Sequence, residues 1–362
     1  MFNRLLIAQG FSLTGGYIQT LVLSWYAAEL AGGVYALAGY MLACYLPVAL
    51  LSYPIGRFLD GRNQKPWLIG SELLLAALSL LLWWMARREA VSFIFLLVFG
   101  GVWGIIRAVQ TPIYQSLPRR LSEQLSRGTA LLTVITYGAR GLGPILGGLL
   151  YAKWGAPLPI LVNCLSFLPS IALLCTLKLP QTQKGTAPKV RPRLPMLLRI
   201  FAVGFFGANY NVTFVSLVRE HGMGSGAYGL ALGLLGLGAL LGFWLKAKGF
   251  SLSTAPTVAA MGGLYLLLSR SNSLWLIGGC ILLYGLLDFW FFSQAAYTLS
   301  SKAEPKEITA VMGLYTVVTV GAMPTGALLW SFISRSFGLS PTFILIGFGL
   351  CLLAFLTKWR PR

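Results

Sequence analysis

Apolar residues run along this chain in blocks of about twenty or more, each closed by a short cluster of basic residues, glycine or proline. A helix rising about 1.5 Å per residue needs roughly 20 apolar residues to cross the hydrocarbon core of a bilayer. The blocks predict twelve membrane-spanning helices, at residues 4–30, 35–56, 66–87, 91–116, 126–152, 157–177, 196–219, 227–246, 253–269, 273–297, 307–333 and 340–358. The ninth is short and contains Gly262 and Gly263. The first, from about Leu5 to Leu30, is too long for the apolar region of a cleaved signal and lacks a small-x-small site, so it reads as a retained helix. The fold class expected is an all-α polytopic membrane protein with twelve transmembrane helices in two pseudo-symmetric halves.

Charge adds an orientation. Only 10% of residues are charged and 57% are hydrophobic, which excludes an ordinary soluble enzyme or a disordered chain. The net charge of +19 would point to nucleic acid on a soluble protein. Here the basic residues crowd alternate gaps: Arg57, Arg62 and Lys65; Arg119, Arg120 and Arg127; the stretch from Lys178 to Arg199; Lys246 and Lys248; Lys302 and Lys306; and both termini. The other gaps hold Arg87, Arg88, Lys153, Arg219, Arg270 and Arg335. The positive-inside rule accounts for this split, placing both termini in the cytoplasm and leaving no need for a nucleic-acid partner.

The cysteines (Cys44, Cys164, Cys175, Cys280, Cys351) all lie inside apolar runs, and the single histidine, His221, is remote from them in sequence. This predicts no metal site, disulfide framework or cofactor. With no nucleophile–base cluster in the membrane, an enzyme is not expected.

Residues 178–195, KLPQTQKGTAPKVRPRLP, are polar, basic and proline-punctuated. They read as a cytoplasmic linker between six-helix bundles at 1–177 and 196–362. The stretch beginning at Arg107 resembles the one beginning at Asp288, with Pro144 and Pro324 in corresponding places. Interrupted helices at matching points of an internal repeat are a mark of secondary transporters.

The gap from Gly56 to Lys65, GRFLDGRNQK, resembles the G-x-L-x-D-R-x-G-R-K signature of the major facilitator superfamily, with Gly56, Asp60 and Lys65 in place and Arg62 nearby. Gly61, Asn63 and Gln64 depart from it. The run Gly143-Pro144-Ile145-Leu146-Gly147-Gly148 resembles the G-P-x-x-G-G motif of the superfamily's exporters. The first half, with Pro112, Gln115, Pro118, Arg140 and Asn163, is similar to the bacterial branch of enterobactin-type siderophore exporters and drug-efflux permeases. This resemblance implies a proton-coupled exporter in the bacterial inner (plasma) membrane, monomeric, with the 56–65 loop latching the halves on the cytoplasmic side. Siderophore import, lysolipid transport and a transport-dead sensor are the alternatives. That branch carries an acid in its first helix where this chain has Gly16, so no coupling role transfers there.

Ionisable residues inside a membrane are functional candidates, because their desolvation demands a partner or water. Arg107, Arg140 and Asp288 are each about fifteen residues into their spans, near the midplane. Arg107 with Gln110 also resembles the core of a proton-antiporter motif. The expectation is that Asp288 titrates during transport while Arg107 binds substrate charge or neutralises Asp288. Glu72, closer to the basic end, is expected to pair structurally with nearby basic residues. The resemblance assigns the cavity to the first, fourth, seventh and tenth spans, which adds Gln9, Tyr17, Gln19, Asn209, Asn211, Trp290 and Gln294 as candidate substrate contacts.

Overall fold

Every predicted span is helical, and the boundaries agree to within a few residues except in the tails of the fourth, tenth and eleventh. The computed structural model describes residues 2–30, 34–60, 62–121, 125–177, 194–301 and 308–356. Gly61, linker positions 178–193, Lys302, Lys306 and 357–362 therefore lie outside the described residues. The first half contains α1 (Phe2–Leu30), α2 (Val34–Leu59), α3 (Lys65–Arg87), α4 (Phe93–Leu121), α5 (Leu125–Trp154) and α6 (Pro157–Thr176). The second contains α7 (Leu194–Gly207), α8 (Tyr210–Glu220), α9 (Ser225–Ala247), α10 (Thr254–Leu268), α11 (Leu274–Ser301), α12 (Ile308–Phe337) and α13 (Leu339–Leu356). Among the described residues, nine segments are long and apolar enough to cross a membrane, and α10 is apolar but shorter.

The seventh span differs from expectation, because it is two helices. Asn209 supplies the reason. Its side-chain amide donates to the Phe205 carbonyl, the acceptor that a continuous backbone would use, at 2.5 Å. Its own carbonyl accepts the N–H groups of Val212 and Thr213 and so starts α8. The helix is interrupted near mid-membrane without a proline.

Two hairpin ends carry the internal repeat into three dimensions. Gly155 after α5 and Gly338 after α12 adopt φ of +69° and +91°. These left-handed conformations suit glycine because it has no Cβ. Each donates its N–H to the last turn of the preceding helix.

Within the first half α1 packs on α5 and α6, α2 on α4, and α3 on α6. The second half pairs α9 with α11, α10 with α13, and α7 with α12. Between the halves, α2 lies along α12 and α5 along α9. The outermost helices expose apolar rows, such as Leu73, Leu74, Leu80 and Leu81 on α3 and Leu345, Phe348, Leu352 and Phe355 on α13. Contiguous apolar exposure of this kind belongs against lipid.

Glycine decides how closely α5 approaches α9. A Cβ added to Gly236 would overlap the backbone of Gly141, and one on Gly148 would lie 2.7 Å from the Ser225 carbonyl. The two helices therefore meet backbone to backbone, as small residues permit. This seam holds the halves together at mid-membrane, beside Arg140.

Candidate substrate and proton site

Arg140 on α5 and Asp288 on α11 each occupy the middle of a span, and they meet across the boundary between the halves. Arg140 Nη1 donates to Asp288 Oδ2 at 3.3 Å, with side-chain exposures of 16% and 3%. The guanidinium lies 4.7 Å from the ring centre of Tyr210 and 5.5 Å from that of Tyr137. Tyr137 packs edge-on against Phe289 at 5.3 Å. Burial is costly for either charge alone, and each side chain is the other's partner here. Asp288 Oδ1 is buried and has no hydrogen-bond partner among the described residues, which leaves an acceptor unused at the centre.

Two small cavities, each of about 10 Å³, lie side by side, one within the first half and one between it and the broken seventh span. One is lined by Gln19, Tyr40, Met41, Cys44, Tyr45 and Trp103 among others, and the second by Met41, Tyr45, Asn209, Asn211 and Met323 among others. Met41 and Tyr45 separate them. Aromatic rings and thioethers dominate the lining, with amides at intervals. Each cavity has room for about one water molecule.

Contacts between the halves close both ends. At the basic end, where α1 begins and α13 finishes, Asp60 accepts the Ala310 N–H at 3.2 Å in the first turn of α12. A carboxylate is favoured there by the unpaired N–H groups of the helix terminus. Gly56 allows this approach, since its added Cβ would be 3.0 Å from the Thr309 carbonyl. Thr316 donates to Gln115 at 3.0 Å nearby. Lys65 bonds the Cys175 carbonyl at 2.7 Å, tying α3 to α6, and Arg62 stacks on Phe58 at 3.8 Å.

The far end has its own clasp. Arg219 on α8 donates to the Ala28 carbonyl at 3.3 Å and lies 5.3 Å from the Trp25 ring. Trp25 also stacks on Tyr228 of α9 at 5.9 Å. Glu29 accepts the Trp25 indole N–H and the Tyr151 hydroxyl. Arg335 covers Tyr35 at 5.0 Å, which joins α12 to α2.

The sequence profile of the Major Facilitator Superfamily matches residues 5–324. The chain belongs to this superfamily. It is a multi-pass membrane transporter, and among its relatives is the staphyloferrin A transporter of Staphylococcus aureus (strain NCTC 8325 / PS 47), 23% identical over 92% of this chain and 89% of that protein. Macrolide efflux protein A of Streptococcus pyogenes is 22% identical over 96% of this chain and 92% of its own length. Among solved structures, the human organic anion transporter MFSD10 superposes with a TM-score of 0.79 at 16% identity, covering 99% of this chain and 98% of that one. A bacterial homologue of the iron transporter ferroportin, in an outward-facing state, gives 0.72 at 18%, with 98% and 96% covered. At these identities the two structures speak for the superfamily fold alone.

The superfamily motifs found in the sequence take up distinct contacts. Gly143 and Gly147 press against Thr14, Tyr17 and Ile18 of α1, and Gly148 against α9. The Pro144 carbonyl lies against Gly229 of α9. Of the two roles expected for Arg107, the pairing with Asp288 is taken by Arg140. Arg107 donates instead to Gln110 at 3.0 Å, and Gln110 to Glu72 at 3.1 Å. Glu72 is fully buried, with polar groups of α1 and α4 converging on it, so it bonds to Ser12, Gln110 and Tyr114 and not directly to a basic residue.

Of the remaining candidates, Gln19 accepts from Ser79 and Asn163 at 3.0 and 2.6 Å, a junction inside the first half that also touches a cavity. Gln9 and Trp290 are buried, Gln294 is exposed on α11, and Asn211 accepts from Tyr228 at 3.4 Å. Gly16 has open space where a side chain would begin. Sequence reasoning missed Tyr210, Tyr137 and the Trp25–Arg219 clasp. Aromatic residues in a membrane chain look alike until helix rotation is known.

Proposed function

We propose that this transporter is a proton-coupled exporter of a small amphipathic or anionic organic compound, siderophore-like or drug-like, working by alternating access of its two halves. The observation that carries this reading is the buried Arg140–Asp288 pair, which joins the halves at mid-membrane with one carboxylate oxygen unused. A substrate carboxylate or catecholate entering beside it competes for the planar guanidinium, which binds such groups bidentately. Loss of that cation in a dry site changes the proton affinity of Asp288, so occupancy by substrate and occupancy by proton are coupled at the centre. The siderophore and macrolide transporters among the relatives support a substrate of this class. The Gly143–Gly148 motif at the seam supports export.

The distribution of basic residues supports an orientation with both termini in the cytoplasm of a bacterial cell, across its plasma membrane. Both members of the central pair come from one chain, which supports action as a monomer. The test is accumulation of siderophore and drug panels in cells with and without the protein, and with and without a proton gradient. Asp288→Asn is expected to abolish gradient-driven movement while leaving downhill exchange. Full gradient-driven transport by that variant would return the pair to a packing role.

A further inference from the structure

Glu72 belongs to neither the central pair nor the clasps, yet it is the hub of a built polar cluster. The carboxyl group is completely buried. Oε1 accepts three hydrogen bonds, from Ser12 on α1 at 3.1 Å and from Gln110 and Tyr114 on α4 at 3.1 and 3.3 Å. Oε2 is buried and has no partner. Ser170 on α6 faces the same carboxyl group, and its buried hydroxyl also has no hydrogen bond of good geometry. Gln110 uses its other end to accept from Arg107, whose guanidinium lies 5.5 Å from the Trp103 ring. Trp103 lines the cavity shared with Gln19 and Tyr45.

We propose that Glu72 is a second proton-binding site, occupied in this closed conformation and wired to the cavity through Gln110 and Arg107. An ionised carboxylate this deeply buried with its nearest guanidinium held one glutamine away is costly. A proton on Oε2 removes that charge and leaves the carboxyl as a neutral member of the hydrogen-bonded cluster. The other titratable or charged groups facing the carboxyl are Arg107 and Tyr114, both from α4, while α1 and α6 bring the hydroxyls of Ser12 and Ser170. When Arg107 leaves Gln110 and water follows, Glu72 loses the proton to that water, and Arg107 becomes its counter-charge. The role of this site in coupling rests on the proton-coupled reading above, but occupancy is measurable without any substrate.

The experiment is infrared spectroscopy of the purified full chain in lipid nanodiscs at neutral pH, in water and deuterium oxide. The wild type is expected to show a carbonyl stretch from a buried protonated carboxyl that shifts on deuteration. Glu72→Gln should remove it and Asp288→Asn should leave it. Ser170→Ala and Tyr114→Phe keep the acid and should move the band without removing it, which covers a failure of Glu72→Gln to fold. A wild type without the band, a band surviving in Glu72→Gln, or one unmoved in both hydroxyl variants overturns the proposal. Loss of the coupling reading through Asp288→Asn leaves these spectra unchanged, so the two failures are separable.

Discussion

Replacing Trp25 with alanine should open the far end of the transporter. Trp25 belongs to the first half and both of its ring partners belong to the second, so these contacts exist only while that end is closed. The substitution removes the stack on Tyr228, at 5.9 Å with planes 30° apart, which is worth about 0.5–1.5 kcal/mol. It also removes the Arg219 contact at 5.3 Å, worth about 0.5–2 kcal/mol. A joint loss of about 1–3.5 kcal/mol changes the ratio of closed to open far ends roughly 5- to 400-fold, at about 1.4 kcal/mol per tenfold. Spin labels at Lys153 and Glu220, both exposed at that end, would report it as growth of a longer-distance population. The label background needs the native cysteines replaced. Trp25→Phe keeps a ring and should fall between the two. An unchanged distance distribution in Trp25→Ala would refute the idea that this clasp biases the conformational balance.

Three further outcomes are expected. Asp60→Asn weakens the contact with the α12 terminus by about 0.3–1 kcal/mol; turnover should fall far more than equilibrium substrate affinity, and equal losses of both would remove the latch assignment. Gly236→Ala forces a methyl into the Gly141 backbone and should cost about 1–3 kcal/mol, read as lowered thermal stability and transport, whereas Gly16→Ala, with nothing within 4 Å, should behave as wild type. Reporter fusions after residues 186 and 362 should be cytoplasmic and one after residue 222 external; an external signal at 186 would invert the orientation.

Hydropathy made the spans legible because a bilayer tolerates few alternatives to a full-length helix. The motifs at 56–65 and 143–148 were legible because each acts through a short local pattern. What hydropathy does not record is the rotation of each helix about its axis. Arg107 and Arg140 sit at the same depth, and only rotation decides that Arg140 faces Asp288 while Arg107 turns toward Gln110. Depth alone also misled for Glu72, since seven residues from the start of α3 leaves a side chain within reach of water on an isolated helix but not on one covered by its neighbours. The break in the seventh span was written locally, in Gly207-Ala208-Asn209. A glycine followed by a capping residue can end one helix and begin another. Apolar runs on either side concealed it.

The contact between α5 and α9 has a mechanical consequence. A surface made of backbone and hydrogen atoms has almost no rotamers to rearrange, so rocking one half over the other there costs little side-chain ordering. The glycines act as a bearing, and a bearing exerts no preference for either position of the parts it joins. The energy that decides which way the molecule faces must then lie at the rims, in Trp25–Arg219 at one and Asp60–Ala310 at the other. The first is worth about 1–3.5 kcal/mol and the second about 0.3–1 kcal/mol, whereas a swing from 1:99 to 99:1 requires about 5.5 kcal/mol of differential binding. A balance so evenly set is within reach of one small anion displacing one arginine.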